Sequence, residues 1–330
     1  MICLGLESTA HTFGVSIINS KGKILSDVRS NFTTEKGGII PREVAEFLKV
    51  NKENVVNQAL KDANLDFNNI DIISFSQGPG LPLSLAVGKN YAKELLIKHN
   101  KKLIPVNHLI GHLEIGKLLT KARDPVFILA TGANTQIIAY ESNKYRLFGE
   151  TLDIGIGNAL DKFGRAVDIG FPAGPKIEQL AKHGKYIELP YSVKGMDLTF
   201  SGIITECINK FKKNIKIEDL CFSLQETMFA MLTEVTERAM AHTDKKEALL
   251  IGGVAANQRL NEMLGIMCKE RKAKFYSVPL KYSGDNAAMI AWLGLLQYKS
   301  NKNYYDKLKL EDIDIKPTWR ADEVDVTWLD

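Results

Sequence analysis

Cysteine is scarce in this chain of 330 residues, and the four cysteines that occur form no motif. None of them stands in the CxxC spacing of zinc knuckles and redox-active pairs; they are Cys3, Cys207, Cys221 and Cys268. The chain therefore gives no indication of a disulfide framework or of a structural zinc site. A reducing cytoplasm is the compartment that best fits this cysteine usage.

The sequence also lacks a long hydrophobic run. No uninterrupted apolar stretch reaches the roughly 18 residues that suggest a membrane-spanning helix. The first residues carry no basic segment and lead directly into the strand-like run ICLGL at residues 2–6. Neither a signal peptide nor a membrane anchor is indicated, and we expect no membrane partner.

A strong excess of one charge is missing as well. Lys and Arg number 43, Asp and Glu number 39, and the formal net charge is only +4. This balance differs from that of proteins that bind nucleic acid through a basic tail or arm. A role on RNA must therefore rest on other observations. Otherwise the composition, 45% hydrophobic and 25% charged, is that of an ordinary globular enzyme.

The strongest positive pattern is an internal repeat. The runs ICLGLE and FGVSIIN, separated by a small-residue turn, begin at residue 2, and the runs VFILATG and QIIAYE begin the same pattern at residue 126. Each half continues with helices, a buried strand that ends in a glycine turn, and a last strand that leads into a helix. This order predicts two mixed α/β sheets, each with helices on both faces, around a cleft. Two unrelated Rossmann-like domains are the alternative.

The repeat also predicts domain boundaries. We assign residues 1–124 to an N-terminal lobe and residues 125–330 to a C-terminal lobe. The second half is longer by about 50 residues, and this insertion falls at about 153–200.

Three turns rich in small residues are candidates for phosphate binding. They occupy residues 8–9, 131–135 and 252–257. Each turn alone is also typical of a simple hairpin closure, but their matched places in the two halves favour a nucleotide, because small residues let backbone amides approach a phosphate. The chain has no GxxxxGK[ST] motif and no GxGxxG after its first strand, which disfavours P-loop and dinucleotide-binding folds.

A candidate metal site comes from two histidines four residues apart. His108 and His112 lie on one face of a predicted helix, about 6 Å apart at Cβ, where two imidazoles can bind one cation. The repeat places Asp285 at the equivalent helix start of the other half, facing His108 across the cleft. Capping or core histidines are the alternative. A zinc peptidase is disfavoured, since its motif has Glu where this chain has Leu109.

Nine ordered motifs resemble those of the universal tRNA threonylcarbamoyladenosine transferase family. They are residues 4–7 with 9–12, 37–39 with 41–43, 76–81, 107–114, 150–153 with 157–163, 174–178, 200–202, 252–257 and 284–286. The tail at residues 320–328 is similar to the archaeal and eukaryotic branch, the catalytic subunit of the KEOPS complex. The resemblance covers essentially the whole chain.

The resemblance implies a duplicated actin/hexokinase-like (ASKHA) ATP fold with two lobes around a central cleft. It implies transfer of threonylcarbamoyl from its adenylate to the exocyclic amine of the tRNA adenosine next to the anticodon. One divalent metal, iron or zinc, would be bound by His108, His112 and Asp285. The implied partners are tRNA, a small atypical protein kinase subunit and the dimerising subunit of KEOPS.

The resemblance also implies that the chain binds an adenine nucleotide, namely threonylcarbamoyl-AMP, ATP or an analogue. The insertion at about 153–200 would be part of the adenosine-binding site. The nucleotide and acyl group would lie against residues of the second half, namely Leu129, Ala130, Thr131, Gly132, Ala133, Asp161, Gly174, Glu178, Gly252, Gly253 and Asn257.

The chain departs from the family pattern at three places. Leu129 stands where the archaeal pattern has a tyrosine that ligates the metal, and the following turn reads Thr131-Gly132-Ala133 instead of SerGlyGly. Ile40 stands where the family pattern usually has a histidine, immediately after the GlyGlyIle motif. These changes predict a metal site with one ligand fewer or with a different cation.

Two residues of the first turn are candidates for proton transfer. Glu7 and His11 follow the first strand, at an edge that we expect to border the cleft. Two other functions remain open: an ATP-dependent small-molecule phosphotransferase of the same fold, and a non-catalytic nucleotide-binding scaffold. The phosphotransferase leaves the histidine pair unexplained.

Overall fold

A computed structural model describes residues 1–33 and 40–329. The glycine motif at residues 37–39 lies outside the described residues. The described strands are β1 (Ile2–Glu7), β2 (Thr12–Asn19), β3 (Ile24–Asn31), β4 (Ile72–Gly78), β5 (Lys102–Asn107), β6 (Val126–Ala130), β7 (Thr135–Glu141), β8 (Lys144–Glu150), β9 (Val193–Lys194), β10 (Asp197–Leu198), β11 (Glu247–Ile251) and β12 (Lys274–Ser277).

The described helices are α1 (Pro41–Ala63), α2 (Pro82–His99), α3 (His108–Thr120), α4 (Ile156–Ala166), α5 (Gly174–Ala181), α6 (Ser201–Lys212), α7 (Ile217–Thr243), α8 (Gln258–Glu270), α9 (Ala287–Ser300) and α10 (Lys302–Lys307). A short 3-10 helix at Gly253–Ala256 follows β11. Across the described ranges 1–33 and 40–329, none of these helices combines the length and apolarity needed to cross a membrane.

The two five-stranded sheets share one topology. Their strand orders are β3-β2-β1-β4-β5 and β8-β7-β6-β11-β12. In each, the first strand pairs antiparallel with the second and parallel with the strand that follows the first long helical segment. Even the irregularity between the second and third strands recurs, at Ile17/Ile18 and at Ile137/Ile138. The duplicated plan predicted from the sequence is therefore confirmed.

The first compact unit consists of residues 1–118 together with residues 285–330. Helices α1 and α2 pack with the sheet in one hydrophobic core, which includes Phe13, Leu48 and Phe75. Helix α9 packs against β1 and β4, and the Ser74 hydroxyl of β4 donates a hydrogen bond of 2.8 Å to the Ile290 carbonyl of α9.

This unit differs from the predicted N-terminal lobe of residues 1–124. The prediction placed everything after residue 124 in the second lobe, whereas residues 285–330 belong to the first unit. The reason is the burial of α9, whose largely apolar sequence is covered by the first sheet.

The second compact unit consists of residues 119–284. Its core joins the second sheet to α4, α6 and α7, and the buried rings of Phe163, Phe200 and Phe229 lie in it. The predicted insertion at about 153–200 contains α4, α5, β9 and β10. Asp153 ties the start of this segment to its end, because its carboxylate accepts hydrogen bonds from the N–H groups of Phe200 and Ser201.

Two helices near candidate site residues have asparagine as their N-cap. The Asn257 side chain accepts a hydrogen bond from Leu260 N at the start of α8, and the Asn286 side chain accepts one from Met289 N at the start of α9. Such capping satisfies amides that the first helical turn leaves without an intrahelical partner. Asn286 thereby fixes the chain immediately after Asp285.

Candidate metal centre

The two candidate histidines lie at the junction of β5 and α3. Strand β5 ends at Asn107, and α3 begins at His108. Both imidazoles are buried, and their ring centroids are 4.8 Å apart with the planes nearly perpendicular. The spacing of four residues brings both side chains to the same face of the helix, as the sequence predicted.

Asp285 completes a cluster with these histidines. Its Oδ1 atom is 3.4 Å from His108 Nε2 and 3.3 Å from His112 Nε2. The possible ligand atoms of the three residues all lie within 4.8 Å of one another. The structure therefore brings together the three residues that the sequence selected.

The expected position of Asp285 was wrong in one respect. The sequence placed it in the opposite lobe, facing His108 across a cleft, but all three residues belong to the first compact unit. Asp285 immediately precedes Asn286, the N-cap of α9, and α9 packs on the first sheet. The return of α9 to that sheet therefore carries the carboxylate to the histidines.

Glu7 orients His108 by contacting Nδ1, the ring nitrogen that does not face Asp285. Its Oε2 atom is 3.0 Å from His108 Nδ1, and its Oε1 atom accepts hydrogen bonds from the backbone N–H and the hydroxyl of Thr9. The Glu7 carboxylate is completely buried. A carboxylate that accepts a hydrogen bond from Nδ1 in this way is the usual support of a metal-binding histidine, and Nε2 of His108 faces Asp285.

The charged groups of the cluster shift one another's pKa. Burial lowers the pKa of His108, but the charges of Glu7 and Asp285 outweigh burial and raise this pKa to about 10. Burial lowers the pKa of His112. Burial also raises the pKa of Asp285, but the charge of His108 overcomes this effect and holds the pKa well below its usual range. The completely buried Glu7 and the partly exposed Asp285 thus flank one positive charge.

Two of the three donor-atom separations fit a small divalent cation. Ligand atoms at about 2.0–2.1 Å from a tetrahedral ion stand about 3.3–3.4 Å apart. Asp285 Oδ1 has these separations from the Nε2 atoms of both His108 and His112. Two imidazoles and one carboxylate suit zinc or iron and leave coordination positions open.

Sequence reasoning placed Thr9 in a candidate phosphate-binding turn and gave it no part in the metal site. Its hydroxyl lies 3.3 Å from His108 Nδ1 and donates to Glu7. The hydroxylated turn after a buried acidic strand end was the available signal. His11 lies two residues further on, between β1 and β2, where it is partly exposed. Within the described residues, its side chain makes no hydrogen bond or ion pair.

In the second unit, the turn after β6 is held rigidly by α4. The carbonyls of Thr131 and Gly132 accept hydrogen bonds of 3.1 and 3.0 Å from the N–H groups of Gly157 and Asn158. The N–H and C=O of one trans peptide point in opposite directions. The amides of Gly132 and Ala133 therefore point away from α4, which suits a turn that binds an anion.

Gly252 allows the ends of β6 and β11 to approach each other. Its φ is +101°, and a Cβ atom at this position would lie 2.2 Å from the carbonyl oxygen of Ala130. Only glycine fits such a contact. Gly253 has no atom within 4 Å of an added Cβ, so its position is open. The two predicted glycines thus differ in their local constraint.

Two predicted nucleoside-binding acids have partners inside the second unit. Asp161 accepts a hydrogen bond of 2.7 Å from the N–H of Ala173, immediately before α5 begins at Gly174. Glu178 accepts one of 2.7 Å from the N–H of Gln258, the first residue of α8. Both acids therefore fix helix starts around this face of the unit.

Three other predicted residues are buried. The Asn257 side chain donates 3.0 Å to Gln225 Oε1 in addition to capping α8. Leu129 and Ala130 are completely buried in β6. Neither residue exposes surface, backbone included, that a ligand could contact in this structure.

Known proteins resemble this chain in sequence over most of its length. The family model described as tRNA N6-adenosine threonylcarbamoyltransferase matches residues 23–292. The tRNA N6-adenosine threonylcarbamoyltransferase of Thermococcus kodakarensis is 51% identical over 330 residues, which cover 99% of this chain and 100% of that protein. A probable bifunctional tRNA threonylcarbamoyladenosine biosynthesis protein of Methanosphaera stadtmanae is 49% identical, and the match covers 100% of this chain and 61% of that protein.

Solved structures with low sequence identity show the fold. HypF of T. kodakarensis has a TM-score of 0.60 and 14% identity, covering 94% of this chain and 49% of that one. The activator of 2-hydroxyisocaproyl-CoA dehydratase from Clostridium difficile has a TM-score of 0.55 and 13% identity, covering 94% and 100%. The duplicated actin/hexokinase-like ATP fold is thereby confirmed. By its family match and its near-full-length relatives, the chain belongs to the tRNA N6-adenosine threonylcarbamoyltransferase family.

Proposed function

We propose that this chain transfers threonylcarbamoyl from threonylcarbamoyl-AMP to the exocyclic amine of the tRNA adenosine next to the anticodon, and that the transfer depends on a metal. Family membership supports the reaction class. The single observation that carries the metal dependence is the pair of distances, 3.4 and 3.3 Å, from Asp285 Oδ1 to the Nε2 atoms of His108 and His112.

One divalent ion, iron or zinc, is held by these three side chains in our proposal. When bound, such an ion supplies Lewis-acid stabilisation to an oxygen that gains negative charge during acyl transfer. Leu129 stands where the archaeal pattern has a tyrosine ligand, and its side chain is buried. The three remaining ligands leave room for a substrate oxygen.

The first task of the protein is to keep His108 in one orientation. Glu7 accepts from Nδ1, and Thr9 holds the other Glu7 oxygen, so rotation of the imidazole breaks a buried charge-assisted hydrogen bond. The low pKa of Asp285 keeps its carboxylate ionised, as a ligand must be.

The second task is to bind the adenylate. The amides of Gly132 and Ala133 point away from α4 and are suited to the phosphate, which carries negative charge. Asp161, Gly174 and Glu178 lie around the starts of α5 and α8 and are our candidates for holding the nucleoside. Gly252 lets the end of β11 approach the end of β6, immediately before the turn that contains Gly132.

The third task is to remove a proton from the attacking amine. Glu7 and His11 were the two candidates, but both Glu7 oxygens already bind Thr9 or His108, and the carboxylate is completely buried. We therefore assign Glu7 to positioning and keep partly exposed His11 as the candidate for proton transfer.

We further propose that the chain acts as the catalytic subunit of KEOPS, in the cytoplasm where its tRNA substrate is modified. The near-balanced charge of +4 provides little general attraction for RNA. A small atypical protein kinase subunit and a dimerising subunit are therefore expected to contribute to tRNA binding.

Two alternatives share the fold. A small-molecule phosphotransferase agrees with the ATP-fold neighbours but gives the metal cluster no purpose. A non-catalytic scaffold predicts nucleotide binding without turnover. Both are distinguished from acyl transfer by the products that form.

The test measures AMP release and incorporation of labelled threonine into tRNA with the reconstituted complex. His112→Ala should abolish incorporation and metal binding while the fold remains intact, and His183→Ala, at an exposed position, is the matched control. Full incorporation by His112→Ala would remove the metal from the proposal. AMP release without incorporation, even in the unaltered chain, would favour a different acceptor.

A further inference from the structure

The last described residues form an extended strap on the first unit. We call residues 308–329 the C-terminal strap. It is anchored by buried apolar side chains, among them Ile313, Val324 and Val326. The strap has no part in the proposed chemistry. Its polar contacts include α2, the end of β4, the residue before α3 and α3 itself, which carries both candidate histidines.

The first polar anchor lies at the end of β4. Lys316 N donates 2.8 Å to the carbonyl of Gln77, and Gly80 N donates 3.1 Å to the carbonyl of Pro317. At Gly78, an added Cβ would lie 1.8 Å from the Lys316 carbonyl oxygen. The strap therefore runs directly against the backbone there.

The second anchor is Asn107, the residue before His108. Its Nδ2 donates 3.4 Å to the carbonyl of Trp319 in the strap. Its Oδ1 accepts 3.1 Å from the N–H of Ile110 in the first turn of α3. One buried side chain thus links the strap to the start of the helix that carries both histidines.

The third anchor lies further along α3. Trp328 Nε1 donates 2.8 Å to Oε1 of Glu114, which is only 3% exposed. Lys117 lies 3.5 Å from the other Glu114 oxygen. A buried carboxylate that loses a donor is costly, so this contact selects one position of the strap against α3.

The strap and the contacts among the three candidate ligands fix different faces of α3. At about 100° per residue, Glu114 lies about 200° around the helix axis from His112. The helix is therefore fixed on one face by Asp285 and Glu7, through the histidines, and on the far side by Trp328.

We infer that the strap is a positioning element for the metal ligands, and that Trp328 acts on metal affinity through Glu114 and α3. The inference rests on the proposed function, because it takes His108 and His112 as ligands. Metal binding needs both Nε2 atoms held at fixed separations from Asp285, and a helix free to shift on its far side cannot maintain them.

The test is a titration of each purified full-length chain with Co²⁺, followed by its visible absorption and by competition with a chelator. Trp328→Phe keeps an aromatic ring but removes the N–H donor. We expect its Co²⁺ affinity to fall about tenfold, the lower end of losses seen when a supporting partner is removed. Trp319→Phe is the matched control, since Trp319 binds Asn107 through its backbone carbonyl, which the substitution keeps.

A second pair of variants separates positioning from general stability. Glu114→Gln retains an acceptor for Trp328 and should keep nearly unaltered affinity, whereas Glu114→Leu should lose about as much as Trp328→Phe. Hydrogen exchange of the metal-free proteins should be faster in α3 for Trp328→Phe and unchanged in α7 of the second unit.

Equal affinity and equal α3 exchange in Trp328→Phe and the unaltered chain would overturn the inference. A loss in Glu114→Gln equal to that in Glu114→Leu would also contradict it, since the retained hydrogen bond would then have no effect. If the unaltered chain binds no Co²⁺, the proposed metal site is refuted, and so is the inferred effect of Trp328 on metal affinity. Exchange in α3 would then still decide whether the strap fixes the helix.

Discussion

The Nδ1 atom of His108 lies 3.0 Å from Oε2 of Glu7, whose carboxylate is completely buried at the end of the first strand. The second Glu7 oxygen is occupied by Thr9. The orientation of a candidate metal ligand on α3 is thus determined by the first residues of the chain. Substitutions of Glu7, Gly252 and Asp153, and chemical labelling of the four cysteines, test the contacts and the burial described for the two units.

Replacing Glu7 with Gln should weaken metal binding. Glutamine has one acceptor oxygen, so it cannot accept from both Thr9 and His108, and it lacks the charge that makes the imidazole a better donor to a cation. We expect the affinity for Zn²⁺ or Co²⁺ to fall about 10- to 100-fold, as for other supporting partners of metal ligands. Titration against a competing chelator measures the change.

The control for this substitution is Glu46→Gln on the surface of α1, where Glu46 pairs with Lys49. It makes the same chemical change far from any candidate ligand and should leave metal affinity unaltered. Unchanged affinity in Glu7→Gln would show that the buried contact does not support His108 as a ligand.

Gly252→Ala should destabilise the second unit. The substitution combines a φ of +101° with a Cβ placed 2.2 Å from the Ala130 carbonyl oxygen, a strain that we expect to cost about 1–3 kcal/mol. Denaturant unfolding measures this loss, and binding of a non-hydrolysable adenine nucleotide should weaken as well. Gly253→Ala is the neighbour control, and its free energy of unfolding should change by less than about 0.5 kcal/mol. Equal stability of the two variants would contradict the steric explanation.

Asp153 should make stability depend on acid pH. Partial burial raises its pKa, but hydrogen bonds from the amides of Phe200, Ser201 and Ile154 outweigh burial and lower the pKa below its usual value. The lowered pKa stabilises the fold at pH above about 4, the value for unfolded Asp, and this contribution is lost as pH falls through the folded pKa.

Asp153→Asn should therefore be less stable at pH 7, and its difference from the unaltered chain should narrow as the pH falls below about 4. Urea unfolding across this pH range measures the difference. Asp62→Asn, at an exposed position of α1, is the control substitution. A difference for Asp153→Asn that stays constant with pH would exclude the ionised carboxylate as its cause.

The four cysteines should resist thiol reagents in the native protein. All four are free and buried. Burial raises the pKa of Cys3, Cys207 and Cys221 to about 12 and that of Cys268 to about 11. At pH 8 nearly all thiols stay protonated, and the thiolate is the reactive form. Ellman titration should detect little reaction until denaturant is added, when four thiols should react. Rapid labelling of any one thiol at pH 8 would contradict this prediction.

Much of the fold was readable from the sequence because its signals are local. The runs from Ile2 and from Val126 alternate strands and turns in one order, and the two sheets have that order. The three candidate ligands were also identified, since spacing brought His108 and His112 together and the repeat pointed to Asp285.

What could not be predicted depends on contacts between residues distant in sequence. The assignment of α9 to the first unit requires knowing which sheet covers an apolar helix, and either sheet satisfies the pattern. The hydrogen bond from Trp328 to Glu114 joins positions 214 apart and has no local signature. Glu7 was selected for proton transfer because its burial beside His108 cannot be read from the residues around it in the sequence.

Helix α9 also determines the order in which this chain can fold during synthesis. The ribosome makes residues 119–284 as one continuous stretch, so that module can collapse as soon as it emerges. The first sheet is synthesised earlier, but α9, the helix that covers one of its faces, lies after residue 284. Until α9 has been made, this apolar face is exposed to water and to other chains. We therefore expect the nascent polypeptide to need chaperones most while the opening sheet has been made and its closing helix has not.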